Sequence, residues 1–486
     1  MIPVRTSTLI AACLVVISTG APGQQKAPDN KVSVWLTDPT ASIFFKKQES
    51  LAWEKAGLPG RSAPSAGNTQ VTPEPVITLD ATKSFQSIDG WGWALTGGSA
   101  QHIIKMSAAA RAALLKELFG TGTSGNQIGG SYLRVSIGAS DLNDHVFSYD
   151  DLPPGQTDTA LAHFDLGPDQ QEVIPVLKEI LAINPAIKIM GSPWSPPAWM
   201  KTNHDTRGGS LLPEYYGVYA RYFVRYIRAM QKAGIRIDAI TVQNEPLHPG
   251  NEPSMLMPAT EQAAFIKSAL GPAFRQAALP TKIIIYDHNA DKPEYPISIL
   301  NDPDARKYID GSAFHLYAGK IEALSQVHAA YPDKNLYFTE QWVGAPGDFI
   351  KDIPGHVGNL IIGATRNWAK TVIEWNLASD PSYQPHTDRG GCDRCLGAIT
   401  IDGDKVTRNP AYYIIAHAAK FVRPGSVRIA SNADDSLPNV AFRTPSGKVV
   451  LIVLNNGTVP QTFAIDYEGR KFKGQLNAGV VATYVW

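Results

Sequence analysis

Apolar residues along this chain follow two alternating rhythms from about residue 85 onward. Short apolar runs of strand character lie at 88–93, 132–135, 187–191, 237–242, 283–286, 311–315, 336–339 and 372–375. Between them, apolar positions recur every three or four residues, the spacing of one helix face. The Ala/Leu-rich stretch 107–119 opens on Ser107, a residue type that caps helix N-termini. Residues 213–232 place Tyr215, Tyr219, Tyr222, Phe223, Tyr226, Ile227 and Met230 on one face, which predicts core packing and not a binding surface. Thr260 is placed to cap a helix through Leu270, and 411–421 reads as the last helix. Eight strands alternating with helices predict an α/β fold with a parallel sheet closed into a (β/α)8 TIM barrel. The competing open doubly wound sheet lacks the GxGxxG that its dinucleotide-binding form carries at the first strand–helix turn.

Beyond Pro424-Gly425 the rhythm shortens to strands at 440–443, 449–455, 462–465 and 480–486, with Asn456-Gly457 as a hairpin-turn signal. This predicts an accessory antiparallel β-sandwich. Strand-like runs at 32–36 and 76–79 cannot form a core alone and are expected to pair with it. The expected organisation is a signal peptide at 1–24, an N-terminal segment at 25–84 joining the sandwich, a barrel at 85–422 and a C-terminal sandwich at 423–486.

Hydrophobic residues at 44% and charged ones at 18% make a globular composition. Lys+Arg and Asp+Glu each count 44, so no broad basic face exists and nucleic acid is not expected as a partner. Arg5, the apolar run 9–17 and the small residues Ser18-Thr19-Gly20-Ala21 form an export signal, too short to span a bilayer. The expected location is secreted or periplasmic, with lipid anchoring at Cys13 as the alternative. No later stretch is long and apolar enough for a membrane helix. After the signal, Cys392 and Cys395 remain as Cys-x-x-Cys. In an exported protein this favours a disulfide, since a zinc site needs further ligands at suitable spacing. Neither metal nor cofactor is expected, and the oligomeric state is left open.

Barrel enzymes carry their reacting groups at the C-terminal ends of strands. Glu245, in Gln243-Asn244-Glu245-Pro246, closes the fourth strand, and Glu340, in Thr339-Glu340-Gln341-Trp342, closes the seventh. Two carboxylates facing one sugar are what glycoside hydrolysis needs, about 5–5.5 Å apart for retention and about 6.5–9.5 Å for inversion. Asn244 is placed to reach a sugar 2-hydroxyl, and Arg134, ending the second strand, to keep a nucleophile ionised. The acid should carry a raised pKa. Glu252, in a loop, and Glu374, inside a strand, are the competing glutamates.

The run GSPWSPPAWMKTN at 191–203 resembles a signature of glycoside hydrolase family 30, which includes glucosylceramidases and endo-β-1,6-glucanases. SYLRVSIGASD at 131–141, VQNEP at 242–246, FHLY at 314–317, FTEQW at 338–342 and EWNLA at 374–378 follow the same order. The resemblance spans about 76–486 and implies a barrel with a side sandwich, a retaining mechanism and no metal. It implies Glu245 as acid/base, Glu340 as nucleophile, Arg134 and Tyr317 beside the nucleophile, and Asn244 at the 2-hydroxyl. It further implies Asp141, Trp194, Trp375 and Asn376 around the sugar. His315 reads equally as a core histidine or a ligand contact, and His248 and Met255 equally as aglycone-side residues or as structural ones. Two departures stand out: Gly97 replaces an aspartate of the glucosylceramidase-like pattern, and the loop TDRGGCDRC at 387–395 resembles the β-1,6-glucanase branch. The expected function is a secreted retaining β-glycosidase acting on a carbohydrate substrate. A β-glucan, particularly β-1,6-linked, is favoured over a glucosylceramide-like glycolipid. A β-xylosidase or β-fucosidase of the same fold, or a catalytically silent carbohydrate-binding protein, are the alternatives.

Overall fold

The computed structural model describes residues 31–54, 74–122 and 125–486. The expected signal peptide and Cys13 lie outside these. Eight parallel strands close into a barrel: Gly90–Leu95, Tyr132–Ser136, Lys188–Ser192, Ala239–Thr241, Lys282–Ala290, Ile309–Gly319, Asn335–Glu340 and Ala369–Glu374. The last pairs with the first, Thr371 opposite Gly90. Helices cover the outside, and the aromatic stripe of Tyr216–Lys232 is buried in the main core, as its spacing predicts. Ser107 caps its helix by accepting from the Ala110 N–H at 3.3 Å. Thr260 does not cap: the helix starts one residue earlier, after Pro258, and runs on through a wider turn at Ile266–Leu270 to Gln276.

Strand side chains alternate between the barrel interior and the helices. Tyr132, Met190, Ala239, Ile284, Ala313, Tyr337 and Ile373, one from each of seven strands, form an apolar plug inside the barrel. Two residues further along these strands, the same inward face carries Arg134, Ser192, Thr241, His315, Thr339 and Trp375. The plug thus makes a dry floor, and the polar layer on it faces the mouth. One strand breaks the rule. Ala313 pairs with Tyr286 but the next residue, Phe314, pairs with His288, so Asp287 is an extra residue in its strand. Tyr286 and Asp287 both adopt positive φ, 72° and 62°. This bulge turns Asp287 into the barrel, where strict alternation would point it outward.

The second body is a ten-stranded sheet that wraps its own core of Val32, Ile77, Leu451, Phe463 and Phe472. The N-terminal strands Lys31–Asp38 and Val76–Ser87 are integral to it, pairing with Val481–Val485 and with Val427–Ser431 and Gln461–Tyr467. The Asn456-Gly457 turn does not make a hairpin. Val449–Leu454 pairs with Asn439–Arg443 and Val481–Val485, while Gln461–Tyr467 pairs elsewhere. Asn455 holds the crossing loop instead, donating to the Val459 and Leu476 carbonyls and accepting from the Gly457 N–H. Barrel and sheet are joined by His417, whose ring lies 2.7 Å from the Thr37 hydroxyl and 2.9 Å from that of Thr483.

One buried acid in the turn before the helix Val173–Ile183 gives a pH dependence to stability. Asp169 accepts a hydrogen bond from the Tyr149 hydroxyl at 2.5 Å. Burial lifts its carboxyl from 3.8 to about 7, the Glu172 charge adding to the effect against the Tyr149 bond. Between those values the folded chain keeps a proton that the unfolded chain has released, so this contribution falls as pH rises through the window. The Tm of wild type relative to that of Asp169→Asn is expected to fall by several degrees from pH 4 to pH 7; a relation independent of pH would contradict this.

Candidate active site

The fourth strand ends at Thr241, and the following residues turn over the barrel mouth. The Asn244 N–H donates to the Pro193 carbonyl at 2.8 Å and the Glu245 N–H to the Asp287 carbonyl at 2.9 Å. Gln243 ties the turn to the Trp194 carbonyl at 2.6 Å. Glu245 itself has φ 43°, a left-handed conformation unfavourable for a side chain of its size. Such a geometry persists only where its surroundings enforce it, and here it turns the carboxylate into the mouth.

Glu340 is the last residue of its strand. Its Oε2 accepts from Arg134 Nη1 at 2.5 Å, and its Oε1 from the Tyr317 hydroxyl at 3.0 Å. An oxygen of Glu245 and one of Glu340 lie within 4.8 Å of each other, with a His315 ring nitrogen in the same sphere. The His315 ring places Nδ1 3.3 Å from Glu245 Oε1 and 3.7 Å from Glu340 Oε1, and Nε2 3.2 Å from Asp287 Oδ1. Arg134 donates on its other side to Asn244 Oδ1 at 2.6 Å, Asp287 Oδ2 at 2.8 Å and Ser192 Oγ at 3.0 Å. The carbonyl end of Asn244 is thereby occupied, and its amide N–H₂ is the end left to meet a sugar. Asp287 also accepts from the Thr241 and Thr339 hydroxyls, both at 2.7 Å.

Charge in this layer is balanced by contact. Against burial, Arg134 and His315 hold Asp287 well below the usual carboxylate range. Burial alone would discharge His315, but the carboxylates of Glu340, Asp287 and Glu245 outweigh it and lift the imidazolium to about 9. Burial raises the Glu340 carboxyl, with His315 and Arg134 pulling against it. On Glu245 the hydrogen bond and charge of His315 overcome burial and lower it. The lowering at Glu245 runs against the raised value expected of an acid, and the charged histidine beside it is the reason.

The pair opens into a cleft of about 370 Å³. Asp141, Trp194, Tyr317 and Trp375 line it, the two indoles with centroids 5.4 Å apart. His248, Asn251, Asn289 and Trp342 also line it; of these only His248 was considered from sequence. Burial, and then the charges of Glu340 and Glu245, raise the Asp141 carboxyl to about 7, while the Cys392 N–H donates to it. Cys392 and Cys395 form a disulfide that lies on the cleft wall. Arg389 anchors their loop by donating to Asp205 at 2.6 Å and to Glu252. Glu252 is thus committed to that ion pair.

Three residues weighed from sequence take other places. Asn376 is not on the cleft wall: with φ 55°, its Oδ1 accepts from the hydroxyls of Ser99 at 2.8 Å and Thr96 at 3.1 Å, behind Trp375 in sequence. Met255 is fully buried in the main core. Glu374 is buried against His356 at 2.8 Å. At the Gly97 departure, an added Cβ would stand 1.9 Å from Asn143 Nδ2, so Asn143 fills the space of the missing side chain. Asp287 was missed altogether, because only the bulge turns it inward.

Known proteins give a consistent picture. A family model described as glycosyl hydrolase family 30 TIM-barrel domain matches residues 88–422, and one described as glycosyl hydrolase family 30 beta sandwich domain matches 425–484. The chain is 33% identical over 448 residues to an endo-1,6-beta-D-glucanase of Aspergillus fumigatus, covering 86% of this chain and 89% of that one. It is 30% identical over 441 residues to the lysosomal acid glucosylceramidase of Mus musculus, covering 85% and 83%. Among solved structures it is similar to an endo-beta1,6-glucanase with TM-score 0.83 and 33% identity, over 94% of this chain and 99% of that one.

Proposed function

The chain belongs to glycosyl hydrolase family 30 and is an O-glycosyl hydrolase, and we propose that it is an exported, retaining endo-β-1,6-glucanase with Glu245 as acid/base and Glu340 as nucleophile. The observation that carries this reading is the separation of the two carboxylates, whose oxygens approach within 4.8 Å. That approach is on the side of the short separation of retaining pairs and below the wider one of inverting pairs, and it suits direct attack on the anomeric carbon. In the first step a Glu340 oxygen bonds to the anomeric carbon while Glu245 gives its proton to the departing glycosidic oxygen. In the second, Glu245 takes a proton from water, the hydroxide oxygen bonds to the same carbon, and Glu340 leaves as carboxylate. Two inversions return the β-anomer.

The roles follow from contacts. Arg134 and Tyr317 each donate to one oxygen of Glu340, which stabilises the carboxylate that attacks and later departs. Glu245 has His315 as its proton-bearing neighbour. His315, whose Nδ1 lies within 3.7 Å of both carboxylates, is placed to pass a proton between them. Asn244 meets the 2-hydroxyl, Trp194 and Trp375 face the ring, and Asp141, held partly protonated near neutral pH, exchanges hydrogen bonds with outer hydroxyls.

The linkage rests on the endo-1,6-glucanases to which the chain is similar and on the disulfide-bearing loop beside the cleft. Incubation with a β-1,6-glucan, a β-1,3-glucan and glucosylceramide is the test. Fast release of short oligosaccharides from the β-1,6-glucan alone, as β-anomers by NMR, is expected. Preference for glucosylceramide would overturn the substrate, and α-anomers would overturn the mechanism.

Two variants probe the site further. Glu245→Gln is expected to lower kcat on glucan by about 10²–10⁴-fold, the usual worth of general acid–base catalysis. An aryl glucoside whose phenol leaves unprotonated should lose far less in its first step, seen as a burst; equal losses on both substrates would count against Glu245 as the acid. Replacing Cys392 and Cys395 together by Ser removes the clasp behind Asp141. The closed loop is short, so little stability depends on it. KM for glucan is expected to rise several-fold with Tm nearly unchanged, and a large drop in Tm with unchanged KM would show a purely structural disulfide.

A further inference from the structure

We propose that Asp150, Asp158 and His163 form a binding site for a divalent transition metal, Zn²⁺ being the best match, in the long loop between the second barrel strand and the helix Val173–Ile183. One ligand atom from each of the three lies within 4.8 Å of the others. Asp150 is 1% exposed, and neither of its carboxylate oxygens has a hydrogen-bond partner. A buried carboxylate with no protein partner on either oxygen is unfavourable as an anion, and a proton, water or cation must answer it.

The loop is already wound as a chelating turn. Asp158, 7% exposed, accepts from the main-chain N–H groups of Ala160 at 3.1 Å and His163 at 2.8 Å. The His163 Nδ1 lies 2.9 Å from Asp158 Oδ2. An ion would replace the hydrogen on that contact and draw Asp150 in. Zn²⁺ binds O and N ligands at about 2.0–2.2 Å, so the three atoms need to close up by less than about 1 Å from their outer limit. The nearby Arg225 is directed at the carbonyls of Leu161 at 2.5 Å and Ala160 at 3.0 Å, away from the pairing role that Asp150 lacks. His163 is 69% exposed along its side chain, which supplies an entry path and an open position for water. An imidazole with two carboxylates favours zinc over calcium or magnesium, which prefer all-oxygen shells.

The site would brace the mouth from behind and take no part in the chemistry. The Asp150 carbonyl accepts from the Trp199 indole N–H at 2.9 Å, and Trp199 lies in the turn that follows Trp194. The other three-group cluster, Glu245 with His315 and Glu340, is the proposed catalytic centre and has to be separated in the test.

The experiment is calorimetric titration of the chelator-treated full chain with Zn²⁺, alongside thermal unfolding and turnover of an aryl glucoside. One Zn²⁺ per chain and a Tm increase of several degrees are expected, both lost in Asp150→Asn. His163→Gln, at an exposed position the fold tolerates, should weaken binding at least about tenfold, the scale that even an outer-sphere partner carries. Both variants should turn over substrate at the metal-free wild-type rate. Ca²⁺ should bind at least as much more weakly. No Zn²⁺ binding up to millimolar concentration, binding intact in both variants, binding blocked by a cleft inhibitor, or equal affinity for Ca²⁺ would each overturn the proposal. If Asp150→Asn does not fold, His163→Gln decides alone.

Discussion

Glu340→Gln is expected to reduce kcat on every β-glucoside by on the order of 10⁴-fold or more, the scale seen when a nucleophile is removed from a catalytic group that acts as a unit. The amide cannot form the glycosyl-enzyme bond, and it sets an N–H₂ or a weaker acceptor against Arg134 and Tyr317, which donate to the carboxylate at 2.5 and 3.0 Å. Substrate affinity should change little, because Trp194, Trp375, Asn244 and Asp141 remain. Initial rates with an aryl β-glucoside and binding of a non-hydrolysed oligosaccharide measure the two effects separately. A sharper version uses Glu340→Gly with azide. The small anion then attacks from the face that Glu340 vacates, and the product should be the α-glucosyl azide. In Glu245→Gly the glycosyl-enzyme still forms, and azide should give the β-product. The opposite pairing would exchange the two roles, and near-wild-type turnover by Glu340→Gln would remove Glu340 from the mechanism.

Arg134→Met is expected to be the most damaging substitution away from the two glutamates. Arg134 is fully buried and donates to Glu340, Asp287, Asn244 and Ser192. Its loss leaves two buried carboxylates facing each other with only His315 between them. Removing one partner of a buried ion pair typically costs about 3–5 kcal/mol. The Glu340 carboxyl, which burial already raises, would hold its proton more tightly and be a poorer nucleophile. A fall in kcat of about 10²–10³-fold, the scale of losing one preorganised donor, should accompany the drop in Tm. Arg134→Lys should restore little, since a single ammonium cannot reproduce the planar fork that serves these four acceptors. Thermal unfolding together with the pH dependence of kcat/KM tests this: the acidic limb should move to higher pH. An unchanged limb with a lowered Tm would confine Arg134 to a structural role.

How far the site could be read from the chain differs residue by residue. Glu245 and Glu340 were legible because each ends an apolar run in a pattern that closes into a barrel, and a barrel puts strand ends at one mouth. Arg134 was legible for the same reason, two positions beyond Tyr132 on the inward face. Asp287 was not. Alternation along its strand points Tyr286 inward and Asp287 outward, and the extra residue that exchanges them exists only through pairing with the neighbouring strand. Trp342 and Asn251 reach the cleft from loops, where no periodicity marks a direction, and Asn289 from the strand end beyond the bulge, which shifts its alternation. Asn376 misled in the other way: it neighbours Trp375 in sequence, but its left-handed backbone sends the amide to Ser99 and Thr96.

By itself the sequence determined the alternation of strands and helices, the late β domain and the two strand-end acids. Each is a property of local spacing, which the chain carries whatever it folds against. Only the tertiary structure decided which strands of the distal sheet residues 31–38 and 76–87 pair with, and that Asn456-Gly457 is a crossing and not a hairpin. It also decided that the two carboxylates meet within 4.8 Å and that His315 charges the space between them. Distances and protonation states arise from groups tens to hundreds of residues apart sharing one dry volume, and no local pattern encodes that proximity.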